Sequence, residues 1–259
     1  MPTAEGALSG YRVLDLSRGL SGAFCARLFG DQGADVVLLE DAEGHPVRAL
    51  PPYGDGERGI ERSLIHGYAN VSKRSVALAS ESADRASLAR RADVVVVSDP
   101  DTARRIEGAL RPEAVMVGVS AYGLSGAWSE LPGNDLTSWS STSWPLLNGE
   151  AGRPPLTGVQ HSASCLAAAM AYTGAVAALI RRSERTRHEV VDVSETETLA
   201  WLGANGILAS AFGEEPAPRS SQAGVFNPPV PVKDGYITMP DKPGLGLELI
   251  QSKLEEFAL

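Results

Sequence analysis

Short apolar runs rich in Val, Leu and Ile recur along the first half of the chain, at Arg12–Leu16, Asp35–Leu39, Ser75–Leu78, Asp93–Val97 and Val115–Ser120. Between them lie stretches with helical spacing, Gly22–Gln32, Ala83–Arg91 and Thr102–Leu110. Runs that are apolar at consecutive positions suit strands buried on both faces, and their alternation with helices is the pattern of a parallel sheet covered on both sides. Residues 1–212 are therefore expected to form an α/β, doubly wound, Rossmann-like large domain. Asp41–Ala69 interrupts the pattern with Pro46, Pro51, Pro52 and several glycines, and predicts a long irregular excursion.

Farther on, the small residues from Ser164 to Arg182 predict a tightly packed helix, with Arg181 and Arg182 complementing its dipole. Glu189–Ser194 reads as another strand, and a helix is expected from Glu195 to about Phe212 with Ser194 as its N-cap. Residues 213–259 are rich in Pro and Ser and offer one clear strand, Gly235–Met239. They read as a linker and a truncated small C-terminal domain.

Composition narrows the class. With 259 residues, 43% of them hydrophobic, the chain can bury a large core. Its net charge of −9 argues against a nucleic-acid surface, which needs a concentrated positive field. Cys25 and Cys165 make no disulfide framework and no zinc motif. No signal-peptide pattern opens the sequence, so a cytoplasmic location is expected. The uncharged stretch Pro154–Ile180 is dominated by Ala, Ser, Thr and Gly, which fits a buried helix and a preceding loop better than a membrane span.

Several positions carry candidate chemistry. Ser17-Arg-Gly-Leu-Ser-Gly22 joins the first strand to the first helix, where backbone amides and the helix dipole can meet a phosphate or thioester carbonyl. Arg18 would supply charge there, and Ser21 and Gly22 close approach; an ordinary tight turn satisfies the same residues. Lys73 and Arg74 are either a solvated pair or an anion site. Glu40, after the second strand, is placed like an acid that holds a ribose hydroxyl, but GxGxxG is absent. In Ser98-Asp-Pro-Asp-Thr102, Asp101 reads as a helix cap. Asp135 is either a helix N-cap or a polar group of an active site. His161, Ser164 and Cys165 lie close enough in sequence to suggest a nucleophile with its base, yet each has a bland alternative.

The chain resembles the class III coenzyme A transferases. The likeness is carried by Gly10-Tyr-Arg-Val-Leu-Asp-Leu-Ser-Arg-Gly-Leu-Ser-Gly-Ala-Phe-Cys25, Gly33-Ala-Asp-Val-Val-Leu-Leu-Glu40, Asn70-Val-Ser-Lys-Arg-Ser-Val-Ala-Leu78, Val119-Ser-Ala-Tyr-Gly123, Pro132-Gly-Asn-Asp135, Val191-Asp-Val-Ser194 and Lys233-Asp-Gly-Tyr-Ile237, in the family's order. The resemblance implies coenzyme A or acyl-CoA as cofactor, bound by Arg18, Ser21, Gly22, Lys73 and Arg74, with Asp135 at the reacting end of a small-molecule acyl substrate. It also implies a homodimer, or a heteromer with a CoA-transferase homologue.

Departures from the family pattern reshape that expectation. Val71 stands where the family carries Arg, Ser98-Asp-Pro-Asp-Thr102 replaces its nucleotide-contacting loop, and Asn134 replaces the histidine of the racemase branch. The family's nucleophilic aspartate precedes a small-residue helix, at Ala163 or Ser164 here, and no acid lies between Glu150 and Glu184. The expected function is thus a divergent CoA-transferase homologue without the usual aspartyl nucleophile. The alternatives are a non-catalytic or partner-dependent subunit, or a homologue recruited to a CoA-independent reaction.

Overall fold

The computed structural model describes residues 6–79, 82–149, 152–181 and 186–213. Arg182, the linker beyond Gly213 and the Lys233–Ile237 segment lie outside the described residues. Six strands, β1 Arg12–Asp15, β2 Asp35–Glu40, β3 Lys73–Ala77, β4 Val94–Val97, β5 Val115–Ser120 and β6 Glu189–Ser194, form one sheet in the order β3-β2-β1-β4-β5-β6. Every adjacent pair is parallel. This is the doubly wound architecture expected from the sequence.

The strand sequences explain the two layers. Alternate side chains of a strand face opposite sides, so the four consecutive valines of β4 divide between two cores. Val94 and Val96 join Val13, Phe29, Val36, Val115 and Val117 on one face. Val95 and Val97 join Leu14, Leu16, Leu39 and Ile106 on the other. Helices α1 Leu20–Asp31 and α7 Ser162–Ile180 cover the first face, with Ala163, Ala167, Ala171, Ala175 and Ala178 of α7 buried. Small side chains bring these helices close. Helices α3 Ala83–Ala89 and α4 Pro100–Glu107 contribute to the second core. Helix α7 is long and apolar enough to cross a membrane by composition, but much of it is packed inside the fold.

The Asp41–Ala69 excursion is more regular than its prolines suggested. It holds single 3-10 turns at Pro46–Ala49 and Gly54–Gly56 and a short helix, α2, Leu64–Ala69, capped by Ser63. Two further short helices, α5 Asp135–Ser140 and α6 Trp144–Leu147, lie between β5 and α7. The single helix expected over Glu195–Phe212 is two, α8 Glu195–Leu202 and α9 Ala204–Ala211. The break falls at Gly203, whose carbonyl accepts the Ser143 hydroxyl at 3.0 Å. A Cβ there would meet that hydroxyl at 2.9 Å.

Strand order reverses between β1 and β4, the place where doubly wound folds open a crevice at the carboxyl edge of the sheet. Here the Arg18 amide donates to the Ser98 hydroxyl at 2.8 Å, tying the two strand-to-helix turns together at the floor of a cleft.

Candidate active site

Two cavities open along this edge and meet at Arg18 and Asp99, which line both. The smaller, of about 590 Å³, lies over β2 and α4 and contains Arg18, Arg85 and Arg105 together with Asp41, Asp99 and Asp101. The larger, of about 1140 Å³, lies between the β1 turn, the segment after β5 and the start of α7. Its apolar wall includes Leu20, Leu50, Tyr122, Leu131, Leu136 and Trp139, and its polar groups include Ser21, Asp135, His161, Ser164 and Glu195.

The β1 turn is shaped from within. Asp15 accepts the Ser17 amide at 3.0 Å and its hydroxyl at 2.6 Å. Buried His45 accepts the Val47 amide at Nδ1, which leaves Nε2 to donate to the Ser17 carbonyl at 2.9 Å. Burial lowers the His45 pKa, so the ring is held neutral in that tautomer. Gly22 serves packing: a Cβ there would lie 2.2 Å from Ser17 Cβ, which allows α1 to start directly against the turn. Ser21 and the Gly19–Leu20 backbone line the larger cavity, whereas Gly22 does not.

Lys73 and Arg74 are not brought to this cleft. The Lys73 ammonium donates to Asp15 Oδ2 at 2.8 Å, Ala23 O at 2.7 Å and Asn70 Oδ1 at 2.7 Å, using all three of its protons. Its side chain is 1% exposed and that of Asp15 0%. Arg74 points the other way and forks onto the Asp35 carboxylate at 2.6 and 2.7 Å, with 69% of its side chain exposed. The physical reason is strand alternation: neighbours in a strand face opposite sides, so the pair cannot share one anion. The expectation of a joint cofactor contact at these two residues is corrected accordingly.

Arg18 stands at the junction of the two cavities, 55% exposed and hydrogen-bonded through Nη1 to Asp41. Asp41 also accepts from Arg85 at 2.7 Å. The helix cap is Asp99 rather than Asp101, accepting the Thr102 amide at 2.7 Å, and Asp101 pairs with Arg105 at 2.7 Å. The smaller cavity thus holds three guanidinium groups balanced by nearby carboxylates. An arginine that offers five N–H donors and has a partly exposed side chain can exchange such a surface carboxylate for a phosphate, so these residues fit the phosphate-bearing end of coenzyme A. Glu40 is not open to a ribose. Arg48 binds it through two N–H groups at 2.7 and 2.9 Å, the His45 amide adds 2.7 Å, and chiefly the Arg48 bond lowers its pKa to about 2.

Asp135 is not the N-cap of its own helix. Asn134 is the N-cap of α5, in a reciprocal capping box with Thr137. Asp135 follows it and reaches across to α7, accepting the His161 amide at 3.2 Å and the Ala163 amide at 2.9 Å. It lines the larger cavity while serving as the external cap of a helix whose own N-cap, His161, makes no side-chain cap bond.

Glu195, which the sequence reading passed over, stands beside it. This side chain is 5% exposed and lines the larger cavity. Its Oε1 accepts the Ser164 hydroxyl at 2.9 Å and its Oε2 the Ser138 hydroxyl at 3.1 Å. Ser164 is therefore no helix cap; α7 begins two residues earlier. Cys165 is poorly suited to a thiolate role, because burial and then Asp135 and Glu195 raise its pKa. Asp135 and Ser138 are one turn apart on α5, so one short helix secures both the start of α7 and the Glu195 carboxylate.

A doubly wound parallel sheet with a cleft at its switch point defines a class of ligand-binding α/β proteins. Within it, the sequence profile of CoA-transferase family III matches residues 8–240, and the chain belongs to that family. It is 30% identical over 250 residues to succinyl-CoA:(R)-benzylsuccinate CoA-transferase subunit BbsE of Thauera aromatica, covering 89% of this chain and 59% of that protein. Succinate–glutarate CoA-transferase of Agrobacterium fabrum is 25% identical over 260 residues, covering 92% and 64%. Among solved structures, a CAIB/BAIF family protein from Brucella suis superposes with a TM-score of 0.72 at 22% identity, over 83% of this chain and 60% of that one, a likeness of fold. The chain spans about three fifths of the length of these relatives.

Proposed function

We propose that this chain binds acyl-CoA in the cleft at its switch point and takes part in CoA transfer between carboxylic acids. The observation that carries this reading is the pair of cavities meeting at Arg18. The smaller one gathers the guanidinium groups of Arg18, Arg85 and Arg105, and the larger one ends on carboxylate and hydroxyl groups. Family membership supplies the chemistry. Coenzyme A enters as a substrate, its phosphates toward the arginines and its thioester toward Ser164 and Glu195.

The lining also speaks to the acyl group. Arg18 is the one arginine or lysine among the residues lining the larger cavity, whose apolar wall includes leucine, tyrosine and tryptophan and whose acidic groups are Asp99, Glu130, Asp135 and Glu195. A second carboxylate on the substrate would meet like charge there. We therefore read the acyl group as an apolar monocarboxylic acid, unlike the dicarboxylic acids named for the Agrobacterium relative.

Binding to the folded state alone raises stability by mass action, by about 2.7 kcal/mol at a hundredfold excess over the dissociation constant. For a domain of this size that is a rise in melting temperature of roughly 5–10 °C. Millimolar CoA or acyl-CoA should produce such a shift in the purified chain. An unchanged melting curve at that concentration would remove the reading.

A second reading, a subunit that works only beside a homologue, is favoured by one observation: the Thauera relative is itself named a subunit. Light scattering of the chain alone and with a co-expressed homologue separates the two, since a partner-dependent subunit forms a heteromer and a self-sufficient one does not.

A further inference from the structure

Four aspartate or glutamate residues are buried among the described residues: Asp15, Glu40, Asp93 and Glu195. Three of them are neutralised by a cation at close range. Asp15 has Lys73 at 2.8 Å, Glu40 has Arg48 at 2.7 Å, and Asp93 has Arg111 at 2.9 Å. Glu195 has no ion-pair partner among the described residues; two serine hydroxyls are its hydrogen-bond donors. A buried carboxylate without a counter-ion is costly, and the surrounding fold has to compensate for it. Asp15 and Asp93 line neither cavity and Glu40 borders the smaller one already paired with Arg48, whereas Glu195 lines the larger cavity with no cation beside it among the described residues.

Its position adds a second argument. The small-residue helix α7 begins where a family member would present its nucleophilic aspartate, and this chain has Ala163 and Ser164 there. Ser164 is not an empty substitution, because its hydroxyl donates to Glu195 Oε1 at 2.9 Å. A carboxylate contributed by β6 and α8 therefore sits within one hydrogen bond of the position from which the aspartate is missing. Asp135 is a weaker claimant, since its two oxygens hold the amides of His161 and Ala163.

We propose that Glu195 is the catalytic carboxylate of this chain, forming the covalent acyl and CoA adducts in place of the absent aspartate. The proposal rests on the acyl-CoA reading of the cleft. In the first step a Glu195 oxygen attacks the thioester carbonyl, the C–S bond breaks, and the products are a glutamyl–acyl mixed anhydride and the CoA thiolate. The thiolate attacks the glutamyl carbonyl of the anhydride, releasing the donor as its carboxylate and leaving a Glu195–CoA thioester. The acceptor carboxylate then attacks that thioester carbonyl, giving a second anhydride and the thiolate. Attack of the thiolate on the acceptor acyl carbonyl forms the new acyl-CoA and restores the Glu195 carboxylate. Charge is conserved at each step and no proton, oxidant or reductant is required. Throughout, the hydroxyls of Ser138 and Ser164 remain positioned to donate to whichever glutamyl oxygen bears the negative charge.

The test uses the full chain, acetyl-, succinyl- and benzoyl-CoA as probes, and calorimetric titration with CoA alongside. After incubation the protein is treated with sodium borohydride, which reduces a glutamyl thioester to the alcohol, digested, and mapped by mass spectrometry. Reduction at Glu195 in the unmutated chain is the expected result, with label persisting in Ser164→Ala and falling by on the order of 10³-fold or more in Glu195→Gln. The mapping in the unmutated chain does not depend on how the variants fold. CoA binding without any covalent label, or a label on Asp135, Ser164 or Cys165, overturns the assignment while leaving the cleft reading intact. Absence of both binding and label overturns both.

Discussion

Replacing Lys73 with Met offers a direct view of what holds the β1 turn. The substitution keeps most of the side-chain volume and deletes the ammonium, leaving Asp15 buried with the Ser17 amide and hydroxyl as its remaining donors. Ala23 O and Asn70 Oδ1 lose a donor in the same step. Removing one partner of a fully buried pair costs about 3–5 kcal/mol, because the other charge stays uncompensated in a dry site. That is a large part of the 5–15 kcal/mol typical of a domain, and corresponds to a fall in melting temperature of roughly 6–20 °C. Urea unfolding followed by circular dichroism measures it. Arg74→Ala is the matched control: its ion pair with Asp35 is exposed, and the expected loss is about 0–1 kcal/mol. Both folded variants should bind CoA with the affinity of the unmutated chain. If Lys73→Met melts normally yet no longer binds CoA, the ammonium serves the ligand and the structural assignment is wrong.

Two further outcomes follow from the same geometry. The Glu40 carboxyl is held at a pKa of about 2, below its ordinary value of 4.5. Its stabilising contribution is therefore fully present above the ordinary value and is lost as the pH falls toward the lowered one, so the stability gap to Glu40→Gln, on the order of 2–3 kcal/mol near neutrality, should close on acidification; a gap independent of pH in urea titrations would contradict this. Arg18→Ala should leave stability within about 1 kcal/mol, since the Arg18 side chain is 55% exposed and Asp41 keeps its pairing with Arg85, while weakening CoA binding roughly 10- to 100-fold by calorimetry; unchanged affinity would take Arg18 out of the site.

Much of the sheet was legible because its central strands are apolar at consecutive positions. Val94–Val97 can only be a strand covered on both sides, and the structure buries all four side chains. The position of the β1 turn was legible from the topology: a tight turn between strand and helix at a switch point faces the crevice by construction. The basic pair misled because its two residues were read as one patch, although strand alternation sends neighbours to opposite faces. Helix α5 was visible only as the helix that Asp135 would cap, one residue past the true N-cap Asn134, because six residues are too few to show a period. Glu195 was missed because an acid in the first turn of a helix after a serine N-cap is ordinary dipole chemistry. Only the fold brings it to Ser164, 31 residues earlier, and Ser138, 57 residues earlier.

The most direct measurement is a crystal structure of the chain soaked with CoA. The account predicts phosphates beside Arg18, displacing its Asp41 contact, and the pantetheine sulfur in the larger cavity next to Ser164 and Glu195. Density for CoA at any other surface, or a sulfur turned away from Glu195, would contradict it.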